Sequence, residues 1–153
     1  DCPENVWVLS GVVELTKKFR FPKNTIVAPG GFVICVPKGT EPIDVPGNVQ
    51  VFSFSRKLFS GTRGAVSLCR PSGTSGKSPR YIIVDQAKYQ NTSPWDPGAA
   101  GGGQGLERIG MNAFGNDPAS WCAGPTGGTP GATWKGTCPG PSVPEILPQP
   151  NKE

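Results

Sequence analysis

The stretch Phe19-Arg20-Phe21-Pro22-Lys23-Asn24-Thr25-Ile26-Val27-Ala28-Pro29-Gly30-Gly31-Phe32-Val33-Ile34-Cys35-Val36 decides the fold. Phe19 to Phe21 reads as a strand closed by Pro22, and its two aromatics alternate about Arg20, so they point to one face. Thr25 to Val27 reads as a second short strand. Pro29 suits the pre-set φ of a turn's first corner, and Gly30 or Gly31 suits the positive φ that follows. Phe32 to Val36 is apolar, mostly β-branched or aromatic, and too short for a helix, which makes it a buried strand. The signal is β throughout, and no residue in it is catalytic.

Working outward, Val6-Trp7-Val8-Leu9 is a strand by residue type, ended by Ser10-Gly11, and Val12 to Leu15 follows it. Downstream, Pro37 to Gly47 holds three prolines and two glycines and is expected to be a loop. Val49 to Phe54 is the next strand. Gly64 to Cys69 follows, with Val66 and Leu68 on one face, and Arg70-Pro71-Ser72-Gly73 is expected to turn the chain. Thr74 to Pro79 reads as a mobile Ser/Gly/Lys-rich connection, and Tyr81 to Asp85 as the last strong strand. Roughly six to eight short strands separated by turns form the pattern of a sandwich or barrel.

Beyond Tyr89 the character changes. Ala99 to Gly103 is a flexible connector and not a phosphate loop, since no strand-to-helix unit surrounds it. Gly105 to Ile109 reads as a short edge strand, and Asn116 to Trp121 as a capped turn whose indole docks on the strands. The segment from Pro139 to Glu153 has five prolines among its fifteen residues. The expected organisation is one β domain over residues 1–133 and a Pro-rich tail over 134–153.

Composition excludes several function classes. There are 22 glycines and 18 prolines, yet apolar runs persist between them, which favours a turn-rich all-β domain over disorder. No window of 18 apolar residues exists, so no membrane span is expected. The N-terminus lacks a basic and an apolar leader region, so any signal peptide is expected to lie outside these residues. A net charge of +4 is spread over two groups, Lys17, Lys18, Arg20 and Lys23, and Arg56, Lys57 and Arg63. With no recognition helix or stacking motif beside them, nucleic acid is not the expected partner.

The chain contains no histidine, which removes the usual general base and the partner of a Ser or Cys nucleophile. Asp85 and Glu107 are the two carboxylates that distant positions could bring together as a glycosidase pair; the plainer reading makes Asp85 a strand end and Glu107 and Arg108 surface charges. Asn116 and Asp117 lack the further acidic residues of a calcium site and read as an Asx turn. No cofactor or metal is expected. Among five cysteines there is no C-x-x-C pair. Cys122 and Cys138 flank a Gly/Pro/Thr-rich segment with no core of its own and are expected to be bridged. Cys35 and Cys69 either pair or stay as buried thiols, and Cys2 is left over.

Contact candidates are Trp95 and Trp134, which lie in Pro/Gly-rich loops where an exposed indole would need a partner, together with Lys18 and Arg20. Trp7 reads as core. Asn91-Thr92-Ser93 is a glycosylation sequon at Asn91, meaningful in a secretory setting.

Several of these segments, in this order, resemble the lamin-tail domain, an immunoglobulin-like β-sandwich of nuclear lamins and many secreted bacterial proteins. Val6 to Ser10 is similar to its G-W-x-L-S strand, and Phe21 to Phe32 to its F-P-x-x-T-x-x-A-P-G-G-Y signature. Gly64 to Leu68, then Pro71-Ser72-Gly73 and Ile83-Val84-Asp85, look like its central hairpin. Gly105 to Arg108, Trp121 and Thr129 to Ala132 look like the close of its extracellular branch. The resemblance implies a non-catalytic, extracellular structural or adhesive module that assembles with protein through sheet edges and loops. An accessory polysaccharide- or cell-wall-binding domain is one alternative and a nucleic-acid module another. Family members begin with two strands that have no counterpart before Val6. A preceding segment or a protein partner is therefore expected to complete the sheet by strand addition, within one polypeptide or in a homo- or hetero-oligomer.

Overall fold

The computed structural model describes residues 8–10, 18–42, 44–54, 59–75 and 78–138. Their regular structure is eight strands and two single-turn 3-10 helices, and the protein is all-β. The strands are β1 (Val8–Ser10), β2 (Lys18–Arg20), β3 (Val33–Pro37), β4 (Gln50–Phe54), β5 (Arg63–Ser75), β6 (Ser78–Gln90), β7 (Gln104–Arg108) and β8 (Trp121–Thr126), with the 3-10 turns at Pro97–Ala99 and Pro118–Ser120. An antiparallel sheet runs in the order β2-β1-β5-β6, while β3 pairs with β4 in parallel and β7 with β8 in antiparallel fashion.

The link from β2 to β3 is two tight turns in series. Thr25 donates to the Pro22 carbonyl from its amide (3.2 Å) and from its hydroxyl (2.7 Å), with Asn24 left-handed at φ 63°. Gly31 N–H then donates to Ala28 at 2.8 Å across a turn with Pro29 at its first corner and Gly30 at φ 72°. Between the turns the expected Thr25–Val27 strand does not form. Thr25 is consumed by the first turn, and the Ile26 carbonyl accepts from the Gln50 side chain at 2.7 Å in place of a ladder partner.

Phe19 and Phe21 share a face. Their rings meet edge-on at 5.1 Å, and both reach Phe52 of β4, at 6.0 and 5.7 Å, which ties the four-stranded sheet to the parallel pair. β5 is central and covered: Ala65, Ser67 and Cys69 are buried on one face, while Val66 and Leu68 face the other way toward β7 and Trp121. Strands β5 and β6 continue past the points where turns were expected. Gly73 (φ 110°) absorbs an irregularity between Pro71 and Thr74, so Arg70 to Gly73 stays in the strand, and the Ser/Gly/Lys-rich segment forms the closing end of a hairpin, Ser75 opposite Ser78. Asp85 lies within β6 and does not end it. The Cys-Ala-Gly-Pro run at the centre of β8 is poor in strand-forming residue types, and β7 supplies its ladder.

Candidate functional site

β6 is, with β2, one of the two outer strands of its sheet among the described residues, and its two halves differ. From Asp85 onward its margin is covered by the 110–117 loop. The Lys88 amide donates to Asn116 Oδ1 at 2.9 Å, and Gly115 packs so closely on Asp85 and the Gln86 carbonyl that a Cβ there would collide with both. Before Asp85 this loop gives no such cover, and Ile82, Ile83 and Val84 are 43, 55 and 49% exposed. The register shift that leaves Val84 without a direct partner lies opposite Leu68 and Cys69.

The loop is held by a knot of contacts. Arg108 donates from Nη1 to Asp85 Oδ2 at 2.6 Å and from Nη2 to the Ala113 carbonyl, and its guanidinium lies 5.8 Å from the centre of the Trp121 ring. Trp121 Nε1 donates to the Gly115 carbonyl at 2.9 Å. Arg108 and Glu107 are consecutive strand residues and point to opposite sides. The Glu107 carboxylate therefore accepts from the Thr129 amide (2.8 Å) and hydroxyl (2.9 Å), away from Asp85. The two carboxylates considered as a glycosidase pair are not brought together.

Behind the covered half of β6 lies a cavity of about 650 Å³. Val66, Leu68 and Ala87 of the sheet form one wall and Leu106 and Trp121 the other, with Trp95, Tyr89 and Asp96 around them. The Tyr89 ring lies across Gly64, where a Cβ would sit 2.7 Å from its hydroxyl, and that hydroxyl donates to the Ser60 carbonyl at 2.7 Å. Burial raises the Tyr89 phenol above its ordinary pKa, against a smaller opposing effect of the Ser60 hydrogen bond.

No protein-family model, curated protein or solved structure matches the chain. The site is therefore read from its own geometry.

Cys122 and Cys138 are joined in a disulfide, Cα to Cα 5.7 Å, which fastens the described chain as far as residue 138. Cys35 carries a free thiol, so of the two outcomes open for Cys35 and Cys69 the mutual bridge is not formed. Desolvation raises the Cys35 thiol to about 11. Cys69 is fully buried on β5. Trp95 is not an exposed contact: a turn closed by its amide on the Thr92 carbonyl (3.1 Å) folds the indole inward to 6.2 Å from Trp121, leaving it 5% exposed. Its place in a loop specified the backbone and not the side chain's direction.

Trp134 is half-buried beside Phe32, Met111 and Trp121, at a second hollow of about 370 Å³. Arg20 is exposed on β2, and Asn91 is exposed at the end of the β6 turn. Lys18 lies on β2, and its side chain, like Cys2, Trp7, Lys17, Arg56 and Lys57, falls outside the described residues. Asp117 caps the second 3-10 turn, its carboxylate accepting from the Ala119 amide at 3.0 Å, whereas the Asn116 side chain is used on the Lys88 amide. What residue types alone did not reveal is the exposed half of β6 and the position of Asp96. Four consecutive apolar residues at 81–84 look the same whether they line a core or a margin.

Proposed function

We propose that the chain is a non-catalytic extracellular module, an immunoglobulin-like sandwich of the lamin-tail kind, that enters a protein assembly by accepting a strand along Ile82–Val84 of β6. The observation that carries this reading is the half-exposed run Ile82-Ile83-Val84 on an outer strand whose other half is shielded. Natural sheets cover such margins, blunt them or use them. In strand addition the main chain supplies affinity and alternate side chains supply selectivity.

Magnitudes indicate how much the edge can do. Covering three half-exposed aliphatic side chains yields roughly 3 kcal/mol, less than the several kcal/mol lost on association. Main-chain bonds along β6 and further apolar cover must supply the rest. Met111 and Phe114, 65 and 73% exposed on the adjoining loop, provide such cover.

The sandwich is supported by the opposed walls of the cavity, four-stranded sheet on one side and β7 with Trp121 on the other. The lamin-tail reading is supported by the Phe21–Gly31 signature, whose Pro, Asn, Thr and Pro-Gly positions each have a turn-forming task. A secreted setting is supported by the disulfide. Among the described residues no helix is long and apolar enough to cross a membrane.

Sedimentation velocity of the 153-residue chain, from low micromolar to near-millimolar concentration, tests the proposal. The expected result is concentration-dependent association that Ile83→Lys abolishes without loss of the β circular dichroism spectrum. A folded monomer at every concentration would overturn it.

A further inference from the structure

The cavity between β5–β6 and β7 is more than a packing gap, because its wall combines aromatic faces with negative charge. Trp95, Trp121, Tyr89 and Phe59 contribute rings. Asp85 and Asp96 contribute the charged side chains, and among the described residues no lysine or arginine lines the space. Asp85 is neutralised by Arg108 from outside the cavity.

Asp96 differs. Its Oδ1 accepts from the Gly98 amide at 2.9 Å and its Oδ2 from the Ala123 amide at 2.8 Å, so both oxygens are held in place by uncharged backbone donors. The one ion pair among the described residues is Asp85–Arg108. The half-buried Asp96 carboxylate therefore presents a charge that the backbone solvates but does not cancel. Ring faces carry negative quadrupole potential of the same sign, and both favour a cation over a neutral guest and disfavour an anion.

The remaining polar groups offer a guest little else. Tyr89 is bonded to Ser60, the Gln104 amide donates to the Gly124 carbonyl at 2.8 Å, and the Gln90 amide donates to the Ser93 carbonyl at 2.7 Å. The uncancelled charge that the cavity presents is negative. A volume of about 650 Å³ lies within the range of small-molecule sites. We infer that it binds an organic cation with apolar bulk, of the substituted-ammonium class, with Asp96 as counter-charge and Trp95, Trp121 and Tyr89 as the enclosing rings.

The probe is benzyltrimethylammonium, titrated against the intrinsic tryptophan fluorescence of the full chain. Neopentylbenzene, of the same shape but uncharged, and phenylacetate, an anion, serve as comparators. The expected result is a saturable change with the cation, on the order of ten-fold tighter than with the neutral isostere, absent with the anion, and weakened by added salt. Asp96→Asn keeps an acceptor for one amide and is expected to remove the preference for the cation. Ala87→Phe places a ring in the cavity and is expected to abolish binding by all three probes while near-ultraviolet circular dichroism stays native-like. Equal affinity for cation and isostere, or a cation preference that survives Asp96→Asn, would overturn the role given to charge. No saturable change with any probe, or undiminished binding to Ala87→Phe, would overturn the site.

Discussion

At the scale of single residues, the most consequential assignments are conformational and electrostatic. Gly30 sits at φ 72° with open space where a side chain would go, so the cost of Gly30→Val is purely that of a left-handed backbone, about 1–2 kcal/mol. The expected outcome is a lower urea midpoint with an unchanged slope. Cys35 gives a pH prediction with a definite sign. Its folded thiol is raised from 9.0 to about 11, so between those values the folded chain holds a proton that the unfolded chain has released. Stability should fall as pH rises through that window, and Cys35→Ala should lose less over the same span in thermal melts. The turn at Pro29-Gly30 was legible in the sequence because proline and glycine state backbone angles directly. The inward rotation of Trp95 was not, because neither its neighbours nor its loop determines a side chain's direction.

At the scale of elements, legibility followed the residue types. β3, β4 and the core of β6 are written in β-branched and aromatic residues and could be read, and β5 was read from the alternation of Val66 and Leu68. Thr25–Val27 has the same vocabulary but pairs with no strand among the described residues, and β8 has that vocabulary only at its ends, Trp121 and Thr126, yet has β7 beside it. Strand formation is settled by a partner as much as by propensity. The candidate site suffered most from this, since both the β6 margin and the cavity depend on which strands meet. The Cys122–Cys138 staple belongs at this scale too. It closes a 16-residue separation that runs through β8 and the glycine-rich return past Thr126. Reduction followed by alkylation should cost about 3 kcal/mol in chemical denaturation on the loop-closure account. An unchanged midpoint would show that β8 is secured by its ladder and its contacts with the 3-10 turns alone.

At the scale of the whole molecule, the sheet has one shielded and one open half along the same strand, and the contrast can be measured by amide exchange. Among β6 amides directed away from β5, that of Lys88 should exchange slowly because Asn116 accepts from it. On the proposed strand addition, those within Ile82–Val84 should exchange fast in the isolated chain and slow down on assembly. The 110–117 loop also has a mechanical consequence. Locked to Asp85 through Arg108 and Gly115, it would act as a doorstop in the proposed strand addition: a guest strand zipping along Ile82–Val84 has three positions, roughly 10 Å, before it runs into the barrier. On that proposal, docking length and alignment are set by this protein and not by the newcomer.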